Sequence, residues 1–164
     1  MSGIPEVERL LPLHTMRHTF ERICQGRYPW QAIRGFMAEW YEGRINLHPQ
    51  MVAEPLPEDY PEKYHPWASV CAATVEWFCN TYGVACPAWV SDPKYVLFAP
   101  WFSDGVPTSP QRREGIIKST PEEFTRRNIY CGDEVSANKW VGFEELRESL
   151  AKARARRKAA QAAG

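Results

Sequence analysis

Between residues 66 and 82, apolar side chains recur every three or four positions: Trp67, Val70, Cys71, Thr74, Val75, Phe78, Cys79 and Tyr82. That spacing lines one face of an α-helix. Both ends are marked. Pro66 suits a first helical position, where no N–H is required, and Gly83 readily takes the left-handed conformation that follows a helix C-terminus. Ala68, Ala72 and Ala73 leave room for neighbouring helices to approach closely. The pattern predicts a central core helix here and a mainly α fold, a single compact domain of short helices around it.

Shorter helical patterns flank this one. Residues 1–11 read as a lead-in, and Pro12 suits the first turn of a helix whose apolar positions are Leu13, Met16, Phe20, Ile23 and Cys24, with Gly26 as its stop. A second helix opens at Tyr28, Pro29 and Trp30, carries Ile33, Phe36, Met37, Trp40 and Tyr41 on one side, and ends near Gly43. Joined by so few residues, the two are expected to pack on each other. A helix-turn-helix DNA reader has the same outline. The outer face of the second helix, however, offers only Gln31, Arg34 and Glu39, a poor surface for a groove lined with phosphates.

Arg44 to Tyr64 contains Pro49, Pro55, Pro57 and Pro61, which predicts an extended connector anchored to the surface by Val52, Leu56, Tyr60 and Tyr64. Beyond the central helix the chain is densely aromatic, with Trp89, Tyr95, Phe98, Trp101 and Phe102. Asp92 followed by Pro93 predicts a capped short helix over Lys94 to Phe98; a strand through Tyr95 to Phe98 is the alternative, with no evident partner. Ser109 and Pro110 repeat the signal for a helix over Gln111 to Ile117. Thr120, Pro121, Glu122 and Glu123 spell a capping box, with Phe124 on the buried side. Arg126 and Arg127 follow where cations favour a helix dipole, and residues 128–131 leave in extended form. A loop over 132–142 leads to a last helix seamed by Phe143, Leu146 and Leu150. The division expected is one α-helical domain over 1–150 and a basic helical tail over 151–164.

Composition narrows the functional classes. With 44% hydrophobic residues and 21 aromatics in 164 positions, the chain can bury a core, and a formal net charge of zero argues against a surface adapted throughout to a polyanion. The basic residues Lys152, Arg154, Arg156, Arg157 and Lys158 are interrupted only by alanine, so a local nucleic-acid contact is an alternative role for the tail. Five cysteines, at 24, 71, 79, 86 and 131, lack the pairing of a disulfide or zinc framework. Free thiols, no structural metal and a cytoplasmic location are expected. No apolar leader or 18-residue apolar run is present in the sequence, which predicts neither signal peptide nor membrane span.

Candidate chemistry is sparse. His14 and His18 lie four apart without a third ligand at a recognised offset. There is no Gly-rich phosphate loop, His-Glu-x-x-His or Gly-x-Ser-x-Gly. Cys131 or Cys86 with His65 or His48 could form a nucleophile and base if the fold brought them together, which keeps a Cys/His-dependent enzyme as a lesser alternative. No catalytic, cofactor-binding or metal-binding residue is assigned. Trp89, Trp101 and Phe102 are candidate partner-binding residues, because aromatics concentrate at the energetic centres of interfaces. Their competing role is as internal wedges.

Several landmarks resemble a loosely defined family of short bacterial proteins without assigned activity. They are Pro29-Trp30 with Ala32, Phe36, Trp40 and Tyr41; Val52-Ala53-Glu54-Pro55; Pro87-Ala88-Trp89-Val90 with Pro93 and Tyr95; Pro100-Trp101-Phe102; and Thr120-Pro121 with Phe124, Arg127, Asn128, Ile129 and Tyr130. They span roughly residues 20 to 131. Members of that family are often encoded beside nucleotidyltransferase-like proteins in arrangements like toxin and antitoxin pairs, and some carry an added helix-turn-helix, for which this chain has no clear recognition helix. The resemblance implies a non-enzymatic, antitoxin-like or accessory role, with a protein partner of the nucleotidyltransferase-like kind.

Overall fold

The computed structural model describes residues 13–42, 45–137, 152 and 155–162. The fold is mainly α, as the periodicity predicts. Its elements are α1 (Met16–Cys24), α2 (Pro29–Glu42), α3 (His48–Ala53), α4 (His65–Tyr82), β1 (Trp101–Phe102), α5 (Pro110–Ser119), α6 (Glu122–Thr125) and β2 (Ile129–Tyr130). The chain divides into two compact units, Met1–Asp133 and Glu134–Gly164. All the elements just named belong to the first. The lead-in, the stop at Gly43, the helix seamed by Phe143, Leu146 and Leu150, and a boundary at 150 lie outside the described residues.

The central helix α4 ends as its sequence demands, on Gly83 at φ 68°, whose N–H bonds the Cys79 carbonyl. It is buried on more than one face: Ala68 through Glu76, Phe78 and Cys79 are all buried. The alanines admit neighbours, and α1, α6, β2 and the turns at Ala88–Ser91 and Pro93–Tyr95 pack against it. From α2, the rings of Phe36, Trp40 and Tyr41 surround Phe78 at centroid distances of 5.8, 5.0 and 5.7 Å. Trp77 and Tyr82 add ring contacts at 5.1 and 5.8 Å, so Phe78 is the hub of an aromatic cluster.

Four expectations need correction. Helix α1 starts at Met16 rather than Leu13, because Thr15 caps it, its hydroxyl accepting the His18 N–H at 3.0 Å. The connector is not extended throughout. Pro49 sits in the first turn of α3, where it is tolerated, and Met51 and Val52 are buried from it. The part that is extended, after Ala53, is tied to α1: Arg17 donates to the Pro55 carbonyl at 2.8 Å, and Tyr60 packs edge-on against Phe20. Asp92 caps as predicted, with its carboxylate accepting the Lys94 N–H at 3.0 Å, but the turn that follows is a 3₁₀ turn ending at Tyr95. Finally, Thr120 forms no capping box. Its hydroxyl donates to the Ile116 carbonyl at 2.6 Å and accepts the Gly132 N–H at 2.8 Å, closing the end of α5 and leaving Pro121 to begin α6 without a side-chain cap.

A strand does form in the aromatic segment, at Trp101–Phe102 and not over Tyr95 to Phe98, and it has a partner. β1 pairs in parallel with β2, Trp101 opposite Ile129 and Phe102 opposite Tyr130. Parallel pairing needs a long crossover, supplied here by α5 and α6. Asn128 sets the register. Its φ of 63° suits a short polar side chain, its amide donates to the Leu97 carbonyl at 2.6 Å, and its own carbonyl accepts the Trp101 N–H at 2.8 Å.

Candidate functional site around Glu76 and Arg127

Glu76 is the only acidic residue in α4, and it lies on the buried part of the helix. A carboxylate removed from water is tolerated when paired and hydrogen-bonded. Its partner is Arg127, just after α6, which is only 4% exposed. Arg127 Nη1 reaches Glu76 Oε1 at 3.1 Å and the Glu123 carbonyl at 2.6 Å, while Nη2 donates to the Val90 carbonyl at 2.9 Å. Its own carbonyl accepts the Leu97 N–H at 3.0 Å. One residue therefore fixes α4, α6 and both ends of the segment from Val90 to Leu97.

Arg126 completes the group, its Nη2 contacting the same oxygen, Glu76 Oε1. Unlike its neighbour, the Arg126 side chain is 48% exposed. Burial pushes both guanidiniums below their ordinary value, and for Arg126 the adjacent Arg127 charge adds to the effect. These residues line an open pocket of about 340 Å³ with Val90, Ser91, Asp92 and Val96. Asp92 faces Lys94 at 3.9 Å, a partly exposed pair.

The candidate partner-binding aromatics lie nearby in the chain, and each is half-buried. Trp89 donates its indole N–H to the Val52 carbonyl at 2.9 Å and meets Tyr95 edge-on; Trp101 meets Trp67 edge-on at 5.1 Å; Phe102 stacks on Tyr130 at 5.2 Å. All three thus pack inward while keeping some surface. The exposed apolar residues of the segment are instead Val96, at 49%, and Phe98, which is fully exposed. The sequence marks Phe98 only as one of the segment's aromatics, and it does not single out Val96, Glu76 or the buried role of Arg127. A signal existed for one of them: a lone Glu in an otherwise uncharged core helix requires a cation.

The other candidates are accounted for separately. His48 stacks on Trp40 and bonds its carbonyl at 2.8 Å, and His65 Nδ1 bonds the Tyr60 hydroxyl at 2.7 Å, so both imidazoles are engaged away from cysteine. No cysteine is in a disulfide; of the two candidate nucleophiles Cys131 is buried and burial pushes the Cys86 thiol up, the reverse of an activated nucleophile, and burial likewise pushes Cys71 up and Cys79 up to about 12. His14 approaches the Gly35 carbonyl at 3.4 Å, and no group of three or more possible metal ligands occurs among the described residues. No described helix is long and apolar enough to cross a membrane. In the tail, Lys152, Arg156, Arg157 and Lys158 are helical and exposed; Arg154 lies outside the described residues.

Comparison with known proteins supplies no relative: no family model, curated protein or solved structure matches the chain.

Proposed function

We propose that this protein acts by binding another protein, and that the segment from Trp89 to Phe102 provides the contact. The observation that carries this reading is Phe98, a fully exposed ring between Leu97, whose N–H and carbonyl are both hydrogen-bonded, and the start of β1. An aromatic side chain on a backbone fixed in this way loses little conformational freedom when a partner covers it. Val96 extends the apolar surface, and the partial exposure of Trp89, Trp101 and Phe102 leaves area for a rim. The sequence resemblance supports an antitoxin-like or accessory bacterial protein with a nucleotidyltransferase-like partner, and free thiols suit a reducing cytoplasm.

Phe98→Ala tests this directly. Binding to a nucleotidyltransferase-like protein should weaken by more than about thirtyfold, the scale of an interface hot spot, while the thermal midpoint stays put. Trp101→Ala is the less clean probe, since it also removes the contact with Trp67. Undiminished binding by both variants would defeat the reading. A second reading, nucleic-acid contact by the tail, is favoured by its exposed basic helix over 155–162.

A further inference from the structure

Where α4 ends, the chain doubles back and brings two cysteines together. Gly83, at φ 68°, and Val84 both donate their N–H to the Cys79 carbonyl, Val84 at 3.0 Å, so the residues after the helix return along its last turn. Cys86 precedes Pro87, which restricts it to extended backbone and fixes where its side chain starts. Cys79 donates to the Ala85 carbonyl at 4.0 Å, and the Cys79 and Cys86 thiols are hydrogen-bonded to each other. Cys79 is 2% exposed, whereas Cys86 is open to solvent. Cys71 is nearly as close to Cys79 in sequence, but eight helical residues set the two about 12 Å apart, beyond the reach of a disulfide.

We propose that Cys79 and Cys86 are a redox site, joined in a reversible disulfide by exchange with a small-molecule disulfide, and that the bridge staples the last turn of α4 to the root of the segment from Trp89 to Phe102. Exchange starts at the accessible sulfur. The Cys86 thiolate attacks one sulfur of the oxidant and expels the other half as a thiolate, leaving a mixed disulfide on Cys86. The Cys79 thiolate then attacks Cys86 Sγ, the bridge closes, and the second half leaves as a thiolate. The two protons given up by the cysteines go to the two leaving thiolates, so two protein thiols are oxidised and one disulfide is reduced to two thiols. Burial pushes both thiols up, Cys79 to about 12, while at Cys86 the Cys79 hydrogen bond and the Arg127 charge act the other way. The reaction is therefore slow at neutral pH and quickens as pH rises. It is reversible, because Cys86 Sγ stays open to an attacking thiol.

The test incubates the reduced full chain with glutathione disulfide at mildly alkaline pH, blocks the remaining thiols with N-ethylmaleimide, and digests with chymotrypsin for mass spectrometry. Cleavage after Phe78, Tyr82 and Trp89 places Cys79 in peptide 79–82 and Cys86 in peptide 83–89. The two should appear joined, two hydrogens below the sum of their masses, and should exceed any Cys71–Cys79 link by more than about tenfold, because the helix forbids the latter. In denaturant the two links close loops of similar length and should form in similar amounts. Cys86→Ser, at an exposed position, should abolish the bridge without lowering the thermal midpoint of the reduced protein, and Cys79→Ser should halt the reaction with glutathione held on Cys86. A Cys71–Cys79 or Cys24–Cys71 link of comparable yield in the folded chain overturns the proposal. So does the same ratio of links with and without denaturant, glutathione remaining on Cys86 of the unaltered chain, or no reaction at Cys86.

Discussion

From Met16 to Tyr82 this protein is held together by side chains meeting side chains; from Val84 to Gly132 it is held largely by side chains reaching backbone. In the first region Phe78 touches five aromatic rings, and Met16, Phe20, Ile23, Ile33 and Phe36 close the core around α4. In the second, Trp89, Arg127 and Asn128 donate to the carbonyls of Val52, Val90 and Leu97, and Thr120 accepts from Gly132. Apolar packing is tolerant of shape and proportional to area, whereas a polar bond to a named carbonyl fixes a loop at one place. The irregular region can therefore present a defined surface without regular structure. Two of its exposed apolar residues, Val96 and Phe98, sit on backbone positioned in this way.

The largest effect is expected in the first region. Phe78→Ala removes the hub of the aromatic cluster and should destabilise the fold by about 3–5 kcal/mol, measured by urea unfolding. A loss under about 1 kcal/mol would show that the cluster relaxes around the gap and that the contrast between the regions is overstated.

Next comes the polar centre of the second region. Glu76→Gln leaves Arg127 buried without its counter-charge, which should cost about 3 kcal/mol, the lower end for a broken buried pair because two carbonyl bonds remain. Arg126→Gln, at a half-exposed position, should cost less than about 1 kcal/mol. Equal losses for the two would mean that the half-exposed Arg126 is as structural as the buried Arg127.

The two regions also differ in how much of each was legible in the sequence. Helices α1, α2 and α4 announce themselves because burial repeats with the helical period, and Gly26, Pro29 and Gly83 punctuate their ends, although the apolar pattern does not mark the Thr15 cap of α1. Helix α3 escaped notice because it is only six residues long and its proline read as a breaker. In the second region no period exists to be read. Arg127 looks like an ordinary cation at a helix end, and only the distant Glu76 gives it a buried partner. Thr120-Pro121-Glu122-Glu123 matches a capping box letter for letter, yet Gly132, twelve residues on, competes for the same hydroxyl and wins it. The strand pair is similarly non-local: the extended course after Arg127 can be read, but its partner is Trp101–Phe102 and not the Tyr95 to Phe98 stretch that the pattern offers, and the register depends on Asn128 at a positive φ. Phe98 could be singled out as aromatic, not as exposed, because exposure depends on what the rest of the chain fails to cover.

A pH series sharpens the picture of the core. Burial raises the thiols of Cys71 and Cys79 above their ordinary value of 9.0, the latter to about 12. Below pH 9 both folded and unfolded chains keep these protons, and nothing is lost. Between pH 9 and about 12 the unfolded chain releases them while the native state holds them, so stability falls by about 1.4 kcal/mol per pH unit for each thiol. Cys71→Ala should flatten that alkaline slope while lowering stability slightly at neutral pH. An unaltered slope would assign the alkaline loss to other groups, with Tyr95, also raised by burial, the first to examine.

The smallest effect on stability is expected outside both regions, in the basic tail. Deleting residues 151–164 removes Lys152, Arg154, Arg156, Arg157 and Lys158, and the described positions among them are exposed, so the thermal midpoint should hardly move. If the tail contacts nucleic acid, it does so through phosphates. Binding should then be weak and indifferent to sequence, with the logarithm of the association constant falling by about 0.9 per phosphate neutralised for each tenfold rise in salt. The deletion should abolish retention on heparin and on DNA together. It should leave the binding of a protein partner through Phe98 unchanged, because the two surfaces recognise different chemistry. Retention that survives the deletion would move any nucleic-acid surface to the body of the protein, where exposed cations such as Arg112, Arg113 and Lys118 are to be substituted next. Loss of protein-partner binding with the tail would instead show that the tail, and not the aromatic segment alone, carries the contact.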